Sequence, residues 1–221
     1  NNIPLYHPEV KTYEVYDNDG SFLAVLYTDF FPRESKGGGA WMTQFRGQKM
    51  VDGKDQRPLV SLVMNFTKPT DTKPSLLTFN EVTTFLHEFG HALHGMFSKC
   101  TYGSTSMDGV SRDFVELPSQ FMENYALEKE WLDTWAVHYQ TGEKIPQEYI
   151  DKIKKSSNFQ AGYASDRQLS FGMVDMAWHT ITEPVTEPLA DFEQRAMGKT
   201  EIMPLVKGSA FSPAFGHIFA G

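Results

Sequence analysis

Phe85-Leu86-His87-Glu88-Phe89-Gly90-His91-Ala92-Leu93-His94-Gly95 carries the pattern H-E-x-x-H inside an apolar run. Val82, Phe85, Leu86, Phe89, Leu93, Met96 and Phe97 recur at steps of three and four, the period of a helix packed into a core. Thr78 and Glu81 have capping-box spacing, with Asn80 a competing N-cap. The pattern predicts a helix over about 81–99. On it, His87 and His91 lie one turn apart on one face. Two imidazoles so placed can bind one zinc ion, with Glu88 between them free to act on a bound water. The plainer alternative is a core helix that happens to carry two histidines. A glutamate directly after the first of them weighs against it. Gly90 costs about 1 kcal/mol of helix propensity relative to alanine, so a glycine there points to close packing against a neighbouring backbone.

His94 lies near the same face and competes with His91 as a ligand. His87 and His94 are two turns apart, about 10.5 Å along the axis. That is too far for both to reach one zinc at about 2.0–2.1 Å, so His91 is the better partner and His94 reads as a packed or supporting residue. A catalytic zinc takes three protein ligands. Glu116, in Arg112-Asp113-Phe114-Val115-Glu116-Leu117-Pro118-Ser119-Gln120, follows His91 by 25 residues. That spacing allows a Gly/Ser/Thr-rich loop over 101–111 and a return on a second helix, which Pro118 can occupy in its first turn. From the residues alone, Glu116 reads equally as the third ligand or as a first-turn glutamate favoured by the helix dipole.

Those two stretches together resemble the thimet oligopeptidase, neurolysin and oligopeptidase A family. Gly38-Gly39-Ala40-Trp41-Met42 and His94-Gly95-Met96-Phe97 are most similar to its bacterial peptidyl-dipeptidase branch. The resemblance runs from Tyr6-His7-Pro8 to the last residue. It implies His87, His91 and Glu116 as ligands of one Zn2+ and Glu88 as general base. It implies hydrolysis of short, unfolded peptides with release of C-terminal dipeptides, or internal cleavage by an oligopeptidase of the same family. His217 matches the family's substrate-contacting histidine, although by position alone it reads as a surface histidine near a terminus. In the family, tyrosines follow that histidine and a large helical part forms the other wall of a deep channel. Gly221 precedes any such tyrosine. The expectation is therefore a partial catalytic segment, inactive by itself. A zinc-containing peptide-binding fragment without activity is the rival of a different class. A structural zinc domain, usually closed by four protein ligands, often cysteines, is disfavoured by the single Cys100. The loop Ser104-Thr105-Ser106-Met107-Asp108-Gly109 lacks the Ser-Gly-Thr of related peptidyl-dipeptidases, so fine specificity does not carry over.

The expected fold class is α+β with a zincin-like core: a β-rich part over 1–75 and a helical part over 76–221 that carries the metal site. Residues 12–16, the turn Asp17-Asn18-Asp19-Gly20 and residues 22–27 read as a β-hairpin. Residues 32–39 read as a flexible loop, 40–45 as a short edge strand and 59–65 as a further strand. Helices are expected over about 114–140, 146–157, 166–181 and 188–197. Zinc peptidases of this general type hold substrate as an added strand beside the active-site helix. Gly39-Ala40-Trp41, with Ala40 at its centre, is the candidate for that contact, or an ordinary loop–strand junction. Trp131, Trp135 and Trp178 read as core.

The 221 residues are 40% hydrophobic and 14% aromatic, enough for a substantial core. Their net charge of −8 argues against nucleic acid as a partner. No apolar run is long enough for a membrane helix. One cysteine excludes an internal disulfide; Cys100 reads as a small buried hydrophobe. The partners expected are short peptides, with neither nucleic acid nor membrane. The full-length protein is expected to be a monomer in the cytoplasm, with the periplasm as the alternative.

Overall fold

A computed structural model describes residues 3–203 and 206–219. The chain folds as two compact units, Asn1–Ile150 and Asp151–Gly221. All strands among the described residues lie in the first unit, and the architecture is mixed α and β. Strands β1 (Lys11–Tyr16) and β2 (Phe22–Asp29) form the expected antiparallel hairpin. Its turn closes through Gly20 N–H to Asp17 C=O, with Gly20 at φ +82°. β2 then pairs in parallel with β6 (Leu59–Val63), and β6 pairs antiparallel with β3 (Trp41–Arg46). The sheet order is β1-β2-β6-β3, so β3 is an edge strand, as its sequence suggests.

Helix α1 (Phe79–Phe97) lies across one face of this sheet. Its capping box is formed: Glu81 N–H donates to Thr78 Oγ1 at 3.2 Å, and Thr78 N–H to Glu81 Oε2 at 2.7 Å. Ala92 and Met96 are buried against Ala24, Leu26, Val60 and Leu62, with Phe85, Phe89 and Leu93 packed around them. Full burial of each large side chain contributes about 1.5–3 kcal/mol. Phe97 departs from the expected stripe, being 61% exposed. It sits on the last turn, where no described residue covers it.

Two further expectations are corrected, and one hairpin is added. The helix over 114–140 is broken into α2 (Leu117–Glu123), a 3-10 turn at Asn124–Leu127 and α3 (Lys129–Leu132). Asn124 Nδ2 donates to the carbonyls of Gln120 and Phe121, and Glu128 is extended; local side-chain bonding of this kind competes with a helical ladder. A hairpin of β4 (Lys49–Val51) and β5 (Lys54–Gln56) was signalled by Asp52-Gly53, both at positive φ. Trp131 packs with Leu132, Ala136 and Ile150 as expected, but Trp135 is half exposed beside an apolar cavity of about 390 Å³ lined by Phe30, Phe66, Val82, Phe85 and Trp131.

The loop over 32–39 is pinned rather than flexible. Asp29 is buried and receives both guanidinium nitrogens of Arg33 at 2.8 Å. Buried Lys36 donates to the Asp29 carboxylate and to the carbonyls of Asp29, Phe31 and Met64. An ammonium there caps the strand ends that would otherwise leave buried carbonyls unpaired.

In the second unit, α5 (Ala161–His179) and α6 (Leu189–Met197) pack through Val174, Met197 and Ile218. Trp178 joins this cluster as expected of a core residue. The helix α4 (Gln147–Ser156) carries the boundary between the units.

Burial raises the Asp29 carboxyl, but the hydrogen bonds from Arg33, Lys36 and Tyr6 outweigh it and hold the group at about 2, against 3.8 ordinarily. A lowered folded value means a contribution present in full above the ordinary value and lost as pH falls toward 2. Asp29→Asn should destabilise the first unit by about 3–5 kcal/mol at neutral pH, because it leaves buried cations without their partner. It should also flatten the loss of thermal stability between about pH 4 and pH 2, as read by circular dichroism.

Candidate metal centre

The centre is built where α2 crosses α1. A Cβ on Gly90 would stand 2.5 Å from the Pro118 carbonyl oxygen and 2.6 Å from Ser119 Cα. The mid-helix glycine therefore does what its sequence position suggested: it lets a second backbone come into contact. That contact places Glu116, the residue capping the start of α2, opposite the histidine face of α1.

The Nε2 atoms of His87 and His91 lie 3.2 and 3.1 Å from Glu116 Oε2. Donor atoms of His87, His91 and Glu116 all fall within 4.8 Å of one another. The predicted trio is thus assembled from residues 25 and 29 positions apart. His87 Nδ1 is 2.7 Å from Glu123 Oε1. If Nδ1 donates to that carboxylate, the neutral ring presents the bare lone pair of Nε2 to the centre. His91 is held below the ordinary histidine range, first by burial and against the pull of Glu116, which keeps its ring neutral. Lone pairs of two imidazoles and a carboxylate then converge on one point, where a divalent cation would satisfy all three. This donor set fits zinc. Its His91 Nδ1 is buried without a partner.

Two residues outside the sequence reading support the candidate ligands. Ser119, fully buried, donates its hydroxyl to Glu116 Oε2 at 2.7 Å. Glu123 orients His87. Glu116, Ser119 and Glu123 stand at i, i+3 and i+7, one face of α2, and that spacing was the available signal. The break of the expected long helix comes just after this face ends.

Glu88 is 8% exposed. Burial pushes its carboxyl up, opposed by His87, reinforced by Glu116, and opposed again by a backbone hydrogen bond from Met42 on β3. Glu88 therefore sits between the histidine pair and the edge strand. His94 lies outside the donor trio, as the axial distance required. It meets Phe114 edge-on at 6.3 Å, and burial lowers its pKa. Ala40 immediately precedes β3, at the same edge. His217 is exposed on the one-turn helix Gly216–Ile218 of the second unit, whereas the donor trio lies in the first. Cys100 is partly buried with its thiol on the Thr105 carbonyl, and its backbone is held by Gln48 on both sides.

The whole chain, residues 1–221, matches the sequence profile of Peptidase family M3. The chain belongs to peptidase family M3. Dipeptidyl carboxypeptidase of Salmonella typhimurium is 40% identical over 222 residues, covering 100% of this chain and 32% of that protein. Oligopeptidase A of Escherichia coli is 40% identical over 227 residues, covering 100% and 33%. The organellar oligopeptidase A of Arabidopsis thaliana is 41% identical, covering 99% and 28%. The chain thus spans about a third of the length of these M3 relatives.

Two variants test the centre. Glu123→Gln keeps the size of the side chain but loses its charge, and should weaken Zn2+ binding about 10–100-fold, as outer partners of ligating histidines do; competition with a chromogenic chelator reads this. Gly90→Ala should push α2 from α1, costing about 1–3 kcal/mol of stability from overpacking together with a loss of Zn2+ affinity. Unchanged affinity in Gly90→Ala would separate the helix crossing from the centre.

Proposed function

We propose that this chain carries the catalytic centre of a zinc-dependent, zincin-like peptidase acting on short oligopeptides, releasing C-terminal dipeptides. The observation that carries the reading is the convergence of His87, His91 and Glu116 beside a buried Glu88, in a chain that belongs to a peptidase family. His87, His91 and Glu116 would hold the zinc. When bound, zinc acidifies a water and polarises a carbonyl.

The remaining steps belong to the protein. Glu88 accepts the proton of the attacking water and passes it to the leaving amine. Its raised pKa makes it a stronger proton acceptor than an exposed carboxylate, while the Met42 hydrogen bond favours its ionised form. Ser119 and Glu123 hold Glu116 and His87 in place. The substrate lies as an added strand on β3, beginning at Ala40, with backbone hydrogen bonds giving affinity. His217 is proposed to contact substrate in the complete protein.

An endo-acting oligopeptidase is the second reading, since oligopeptidase A of Escherichia coli is as similar to this chain, at 40% identity, as the dipeptidyl carboxypeptidase is. Products decide between them: dipeptides from a peptide with a blocked N-terminus, or internal fragments. The partners proposed are short peptides alone, acted on by a monomer in the cytoplasm, with the periplasm as the alternative. No helix among the described residues is long and apolar enough to cross a membrane.

In the full-length enzyme, Glu88→Gln should retain its zinc and lose about 10²–10⁴-fold in kcat, the range for a general base. Near-normal turnover at full metal content would overturn the role given to Glu88.

A further inference from the structure

The edge strand that the peptidase reading assigns to substrate has two ends, and both are fastened. At the start of β3, Gly39 takes φ +84° and turns the chain out of the sheet. Asn65, just past β6, donates through Nδ2 to the carbonyls of Gly37 and Gly39, both at 2.8 Å. The Gly39 carbonyl is therefore engaged before any peptide arrives. From Trp41 to Gln44 the strand keeps an unbroken register with β6, and between Gln44 and Arg46 it bulges. A bulge re-aims the strand and ends regular pairing.

At that same point the loop after α1 is tied down. Gln44 Nε2 donates to Asp108 Oδ1 at 2.8 Å. A Cβ on Gly47 would stand 3.1 Å from Asp108 Oδ2, so the aspartate spans both sides of the bulge. The loop that carries it is tightly turned. A Cβ on Gly109 would fall 1.8 Å from the Ser104 carbonyl oxygen, and Gly109 N–H donates to Ser106 C=O at 2.9 Å. Between the two fastenings lie Met42 and Thr43.

We infer that the free edge of β3 is a docking edge of four residues, Trp41 to Gln44, closed at one end by the Asn65 clamp and at the other by the Gln44–Asp108 latch, and that the latch sets how far a bound peptide extends. At about 3.4 Å per residue, the edge is roughly 14 Å long. A peptide in antiparallel pairing gains backbone hydrogen bonds along it and none past it. Asp108 is a positioning residue: it touches Gln44 and lies against Gly47, on either side of the bulge.

The inference rests on the peptidase reading, and one experiment separates the two. The full-length zinc-loaded enzyme is given two peptide ladders around a single cleaved bond, verified by mass spectrometry, one lengthened toward the N-terminus and one toward the C-terminus. In the wild type kcat/KM should rise with added residues and level off once about four are seated on the edge. Asp108→Ala should let one ladder, and only one, rise by a further residue or two. The gain should be about threefold to tenfold and fall in KM rather than kcat, as one or two added backbone hydrogen bonds predict. Asp108→Asn keeps the acceptor and should keep the wild-type plateau. Gln44→Ala breaks the same tie from the other side and should reproduce Asp108→Ala, which guards against misfolding of either variant. A wild-type rise that continues well past four seated residues, or an unchanged plateau in both Asp108→Ala and Gln44→Ala, overturns the inference and leaves the peptidase reading intact. Failure to cleave any peptide overturns both.

Discussion

The contact between α1 and α2 at Gly90 is the constraint on which the rest of this structure depends. Any side chain at that position would collide with the backbone of Pro118 and Ser119. Because the two helices touch there, the first turn of α2 falls opposite the histidine face of α1, and three donor groups come within 4.8 Å. The cost of a glycine in a helix, about 1 kcal/mol, is small beside what the crossing organises. Ser119 is fully buried in the same contact and turns its hydroxyl onto Glu116.

Electrostatics follow from this packing. A buried imidazole and a buried carboxylate both resist charge, so His91 stays neutral and the Glu88 carboxyl rises. A neutral imidazole is a donor to a cation, and a raised carboxylate is a competent base. The same burial that makes the centre costly for an empty chain thus suits it to a metal and a proton transfer. Asp29 shows the opposite outcome at the far end of β2. There two cations answer one buried carboxylate and drive its pKa down, and the result fastens the loop that leads into the edge strand.

The central helix, its capping box and its two histidines were legible because they are local: each depends on spacing within a few residues. The hairpin β1–β2 and the exposed edge position of β3 were legible for the same reason, from turn chemistry and a short run after glycines. Phe97 and Trp135 were misjudged because an apolar residue in a periodic stripe says nothing of whether a neighbour covers it. The break of the helix after Glu123 was missed because Asn124 bonds back to two carbonyls, a choice that apolar periodicity does not encode. Asp52-Gly53, both at positive φ, is a local signal for the β4–β5 hairpin.

By itself, then, the sequence determined the helix, the pairing of His87 with His91, the exclusion of His94 by axial distance and, through its motifs, membership of peptidase family M3. Glu116 remained balanced between ligand and first-turn glutamate until the family spacing was added, since nothing local distinguishes the two. Only the tertiary structure decided that its carboxylate meets both imidazoles, that Glu123 and Ser119 bond to His87 and Glu116, and that Asp108 is tied to the edge strand. Those are contacts between residues distant along the chain. They exist because a glycine lets two backbones meet and because side chains buried at the crossing must find polar partners there.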